Sequence, residues 1–112
     1  MVIAGGVDTS KVASSGALPT VTFTSGVAKQ MNTGRDFYLW MPITYNPTSI
    51  LAATVKIEIS PDNVTYSTIS TEIRPALLGL AGLVDSVSIP LRSGYWIRFT
   101  ATNASLGTAS YW

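Results

Sequence analysis

The 112-residue chain contains neither cysteine nor histidine. Without cysteine there is no disulfide, no thiolate metal site and no Cys nucleophile, so the fold rests on its hydrophobic core or on association. Without histidine, the commonest general base and the commonest metal ligand are missing together, which removes Ser-His-Asp triads and His-based zinc sites. Charge is scarce as well. Charged residues make up 12% of the chain, about half the usual 25%. Seven Lys+Arg stand against six Asp+Glu for a net charge of +1. Cations scattered singly give no field for a phosphate backbone, so nucleic acid is not an expected partner. No apolar run approaches the roughly 18 residues that span a bilayer, and residues 1–6 lack the cationic region of a signal peptide. Neither a membrane nor export is expected.

The polar surface comes instead from thirteen Ser and fourteen Thr. Thr, together with the many Val and Ile, favours pleated and half-buried backbone over helix, so the chain reads as all-β. Its length suits one domain. Residues 1–18 are small, weakly hydrophobic and without a clean period, and they read as a flexible N-terminal arm ahead of a β-sandwich domain at 19–112.

From Pro19 onward strand and turn signals alternate. Residues 21–25 alternate up to Gly26, and residues 37–41 form an apolar run that Pro42 marks as a sheet edge or bulge. Val55, Ile57 and Ile59 alternate with Lys56, Glu58 and Ser60, which buries one face. Pro61-Asp62-Asn63 fits a turn with Asn in the left-handed conformation, and the return strand reads as residues 64–69. Its register stays open. Residues 72–83 read as an apolar connection with at most one or two helical turns, because Gly79 and Gly82 each cost up to about 1 kcal/mol in a helix. Strands at 84–91, 95–102 and 108–112 follow, so six to eight strands in a sandwich or barrel are expected.

The carboxylates Asp8, Asp36, Glu58, Asp62, Glu72 and Asp85 occur one per element, mostly in turns, with no sign of a facing pair. No enzyme, metal site or cofactor is expected. Asn63-Val64-Thr65 and Asn103-Ala104-Ser105 match the glycosylation pattern and read as turns. Among the aromatics, Phe23, Phe37, Phe99 and Tyr95 fall on apolar strand faces. Trp40, Tyr66, Trp96 and Trp112 are candidates to stack on sugar rings, and Trp96 shares a polar face with Arg98. Leu77, Leu78, Leu80 and Leu83 lie in a Gly-interrupted connection that either caps the open end of the sandwich or meets a partner.

From Val55 onward the chain resembles a pattern in small virion proteins of tailed bacteriophages. It comprises the alternating strand, the Ser60-Pro-Asp-Asn-Val-Thr-Tyr66 hairpin, the apolar connection, Ile89-Pro-Leu-Arg-Ser-Gly-Tyr-Trp-Ile-Arg-Phe-Thr100 and a closing Ala109-Ser-Tyr-Trp112. Length, the missing Cys and His and the small-residue arm are similar to the capsid decoration (cement or staple) proteins of epsilon15-type short-tailed phages. That resemblance implies a jelly-roll-like β-sandwich, a homodimer, on the outer capsid surface of the virion. It would be made in the host cytoplasm and would bridge neighbouring copies of the major capsid protein. The partner interface would then draw on Val2, Ile3, Val7 and Val12 of the arm, on Leu77, Leu78, Leu80 and Leu83, and on Trp96 and Arg98. A phage tail or fibre domain, or a carbohydrate-binding module, is the alternative.

Overall fold

The computed structural model describes residues 2–3, 7–8, 17–76 and 82–112, the first two pairs by backbone alone. In chain order the strands are β1 (Val2–Ile3), β2 (Val7–Asp8), β3 (Thr20–Val21), β4 (Lys29–Gln30), β5 (Phe37–Tyr45), β6 (Ala53–Ser60), β7 (Ser67–Arg74), β8 (Leu83–Leu91), β9 (Trp96–Thr102), β10 (Ala104–Leu106) and β11 (Ala109–Tyr111). β1 and β2 pair with each other, antiparallel. The remaining strands build two antiparallel sheets packed as a sandwich.

Strand β5 is the spine of the first sheet. β8 pairs along its whole length on one side, β10 and then β11 pair on the other, and β3 extends β11. The second sheet runs β4-β9-β6-β7. The β5–β8 pair and the β6–β7 hairpin nested inside it in sequence thus sit in opposite sheets. Strand alternation supplies the core. Phe37, Leu39, Met41, Ile43 and Tyr45 of β5 point inward against Val55 and Ile57 of β6 and Ile97 and Phe99 of β9. Phe23 packs edge-on to Phe99 with ring centroids 5.0 Å apart. Each such fully buried large apolar side chain stabilises the fold by about 1.5–3 kcal/mol.

Several expectations are corrected by this topology. There are eleven strands among the described residues because two- and three-residue segments pair at the sheet margins. Pro42 lies within a central strand, where its missing N–H should break the ladder. It is tolerated because the Pro42 carbonyl faces the β10–β11 side, accepting a hydrogen bond from Gly107 N–H at 2.8 Å. The nitrogen of a strand residue points the same way as its carbonyl, so the proline nitrogen meets the gap between β10 and β11, and the β8 ladder loses nothing.

The return strand of the hairpin begins at Ser67 rather than residue 64. Asp62 holds the intervening loop by accepting hydrogen bonds from Val64 N–H and Thr65 N–H, both at 2.9 Å, and from the Ser60 hydroxyl. Asn63 adopts φ 61°, the left-handed conformation expected of it. Residues 72–74 belong to β7, and no helix occurs among the described residues; 77–81 lie outside them.

Among the described residues, strands β7 and β8 are the long free edges, both on one flank. The β6–β7 register shifts between Ile57 and Glu58, leaving Ile69 as the extra residue of a bulge. Glu72 and Arg74 turn toward the sandwich interior side, opposite Val55 and Ala53. Arg74 closes the flank, its guanidinium 2.5 Å from Asp85 of β8 and 4.4 Å from the Tyr45 ring centroid.

Candidate functional site

The outward face of the first sheet carries Tyr38 and Trp40 from β5, Pro90 from β8, and Trp112 just after β11. Alternation explains the placement, since Phe37, Leu39 and Met41 take the inner side. Tyr38 and Trp112 exchange backbone hydrogen bonds at 3.0 and 3.2 Å, and their rings stack with centroids 6.1 Å apart and planes at 28°. Trp40 sits between Ser88 and Ser110 on the neighbouring strands. Tyr38 and Trp40 each keep 37% of their surface exposed. The face is therefore a rigid, uncharged aromatic platform flanked by hydroxyls.

The outward face of the second sheet is built differently. Trp96 and Arg98 of β9 lie opposite Ser60 and Glu58 of β6. Arg98 donates from Nε to Glu58 Oε1 at 3.1 Å, and its Nη2 lies 3.1 Å from the same oxygen. The Tyr66 ring covers the guanidinium at 4.0 Å, and the Tyr66 hydroxyl donates to Asn63 Oδ1. Lys56 Nζ lies 3.6 Å from the other Glu58 oxygen. Glu58 keeps only 8% exposure. The Arg98 hydrogen bond holds its carboxyl below the usual range, against the opposing effect of burial. Arg98 is thus pinned from two sides beside a half-buried Trp96.

A cleft of about 650 Å³ opens at the end of the sandwich where β5 begins and β8 ends, lined by Arg35, Asp36, Tyr38, Arg92, Tyr95 and Trp112 among others. Two turns form its rim. Gly34 N–H donates to the Ser93 hydroxyl at 2.8 Å, Gly94 N–H to the Met31 carbonyl at 2.7 Å, and the Thr33 hydroxyl to the Arg35 carbonyl at 2.6 Å. Gly34 and Gly94 have φ of 80° and 90°, which side chains other than glycine rarely adopt. These bonds tie the turn bearing Arg35 to the turn bearing Arg92. A shallower groove of about 430 Å³ runs along the open flank past Ile69, Glu72 and Val87.

The residues singled out as interface candidates are dispersed. Trp96 and Arg98 share one outer face. Leu83 pairs with Tyr45 and packs, half-buried, against the core. Val2, Ile3 and Val7 are described by backbone alone, in the β1–β2 pair, and Val12, Leu77, Leu78 and Leu80 lie outside the described residues. Of the sugar-stacking candidates, Trp40 and Trp112 share the first sheet's face while Tyr66 and Trp96 share the second's. Tyr38, Arg35 and Arg92 were legible as turn and strand residues only. The Gly34-Arg35 and Arg92-Ser93-Gly94 turns were the available signal for the cleft.

No group of three or more acidic side chains is placed to hold a metal among the described residues. No protein-family model, curated protein or solved structure matches the chain.

Proposed function

We propose that the protein is a non-enzymatic virion structural protein that binds the outer surface of an icosahedral phage head and clamps neighbouring major capsid subunits. One observation carries this reading. Rigid aromatic side chains look outward from both sheets, Tyr38, Trp40 and Trp112 from one and Trp96 with the pinned Arg98 from the other. Trp, Tyr and Arg are the residues that dominate protein interfaces, and holding them on strands limits the entropy lost on docking. Because the two faces look in opposite directions, one molecule can touch two neighbours.

The second contact then forms at high effective concentration, so two weak contacts suffice. Ligands that bind only the assembled shell stabilise it by mass action. A homodimer, implied by the resemblance to decoration proteins, doubles the number of such faces.

The test is co-sedimentation of the purified protein with phage heads that lack it, comparing wild type with Trp40→Ser and Trp96→Ala. Saturable binding of the wild type is expected, weakened about tenfold or more by each substitution, the loss of one aromatic anchor. The proposal fails if the wild type does not bind heads, or if both variants bind as the wild type does.

A further inference from the structure

We infer that the end cleft is a binding site for an acidic oligosaccharide, with a sugar carboxylate on Arg35 and Arg92 and sugar rings against Tyr38 and Trp112. Charge is the first ground. Among the described residues Arg74 and Arg98 are ion-paired, with Asp85 and Glu58. The two arginines without a carboxylate partner among the described residues both line this cleft. Arg35 reaches only the Asp36 carbonyl, at 3.4 Å, and Arg92 makes no side-chain hydrogen bond among the described residues. A guanidinium offers a planar fork of donors that matches a carboxylate.

The remaining lining fits a sugar. The stacked Tyr38–Trp112 pair supplies flat faces for the C–H surface of a ring, and Trp40 extends that surface one strand position pair beyond the cleft. Tyr38 and Tyr95 bring hydroxyls. The Asp36 carboxylate accepts hydrogen bonds from sugar hydroxyls, while the two guanidiniums in the same cleft outnumber it and take the sugar carboxylate. A volume of about 650 Å³ lies within the range of small-molecule sites. The turn-to-turn hydrogen bonds at Gly34 and Gly94 fix the rim before any ligand arrives. The site shares Tyr38 and Trp112 with the head-binding proposal, but its two arginines take no part in that reading, so Arg35→Gln and Arg92→Gln test it separately.

The experiment titrates the full chain with trigalacturonate, triguluronate and sialyllactose, followed by Trp fluorescence and calorimetry. The methyl ester of trigalacturonate is the uncharged control, and hexaglutamate and hexathymidylate probe a peptide or nucleic-acid ligand. Saturable binding of at least one acidic sugar is expected, about tenfold weaker when its carboxylates are esterified or when Arg35→Gln or Arg92→Gln is introduced. Trp96→Ala, on the other sheet, leaves it unchanged. Both arginines are exposed, so these variants should melt as the wild type does. No saturable binding of any acidic sugar up to millimolar concentration overturns the inference. So does equal binding of the ester, indifference to both arginine substitutions, or tighter binding of hexaglutamate or hexathymidylate.

Discussion

Gly107→Ala tests how the central strand accommodates a proline. A Cβ at Gly107 would stand 2.7 Å from Pro42 Cγ and 3.0 Å from the Pro42 carbonyl oxygen. Real Cβ atoms do not approach so closely, and neither neighbour yields easily, one being a ring and the other backbone of β5. Where space allows, Gly→Ala stabilises by about 0.4–1 kcal/mol through the unfolded state. Overpacking costs about 1–3 kcal/mol, so the net effect is a loss of up to about 2.6 kcal/mol. At this chain length the thermal midpoint should fall by up to about 10 °C. Urea unfolding of wild type, Gly107→Ala, Pro42→Ala and the double variant measures the coupling. Removing the proline ring relieves the contact with Cγ, so the double variant should be more stable than the sum of the singles by more than about 0.5 kcal/mol. Additivity would refute the close approach and the account of Pro42 built on it.

Glu58, held low by Arg98, contributes stability that is present above the ordinary glutamate value of about 4.3 and is lost as pH falls through its lowered folded value. Denaturant midpoints recorded from neutral to acid pH should therefore fall less steeply for Glu58→Gln than for wild type, and parallel curves would contradict this. At neutral pH the same substitution should cost about 1–2 kcal/mol by weakening the pair with Arg98. Asn63→Val should destabilise by about 1–2 kcal/mol, since a β-branched residue resists the left-handed conformation, whereas Asn63→Gly should be close to neutral in the same urea assay. Head co-sedimentation should separate Trp40→Ser and Trp96→Ala from wild type, as set out above.

Local pattern was enough to read the core strands, because burial there follows period two. Val55, Ile57, Ile97 and Phe99 are fully buried, and the Asn63 turn follows from that residue's tolerance of positive φ. What could not be read depends on partners distant in sequence. Pro42 is an edge signal in isolation, and only the switch from β10 to β11 makes it acceptable in a central strand. The Asp62 loop outlasts its turn because one carboxylate accepts several N–H groups, which delays pairing until Ser67. Trp40 and Trp112 share a face, with Tyr66 and Trp96 on the opposite one, through strand order alone. The cleft joins Arg35 to Arg92 across 57 positions of chain, and no local spacing announces it.

The flank formed by β7 and β8 bears on how densely such molecules can be stored. Two edges of eight and nine residues, with Val84 at 74% exposure, would ordinarily recruit strands from other copies and grow into fibres. Here the Ile69 bulge twists one edge, Pro90 removes a donor from the other, and the inward Glu72, Arg74 and Asp85 would be stranded inside any sheet that continued across. The devices act against the very contact that crowding promotes. Copies confined side by side at high local concentration can thus avoid fusing along this flank into one continuous sheet.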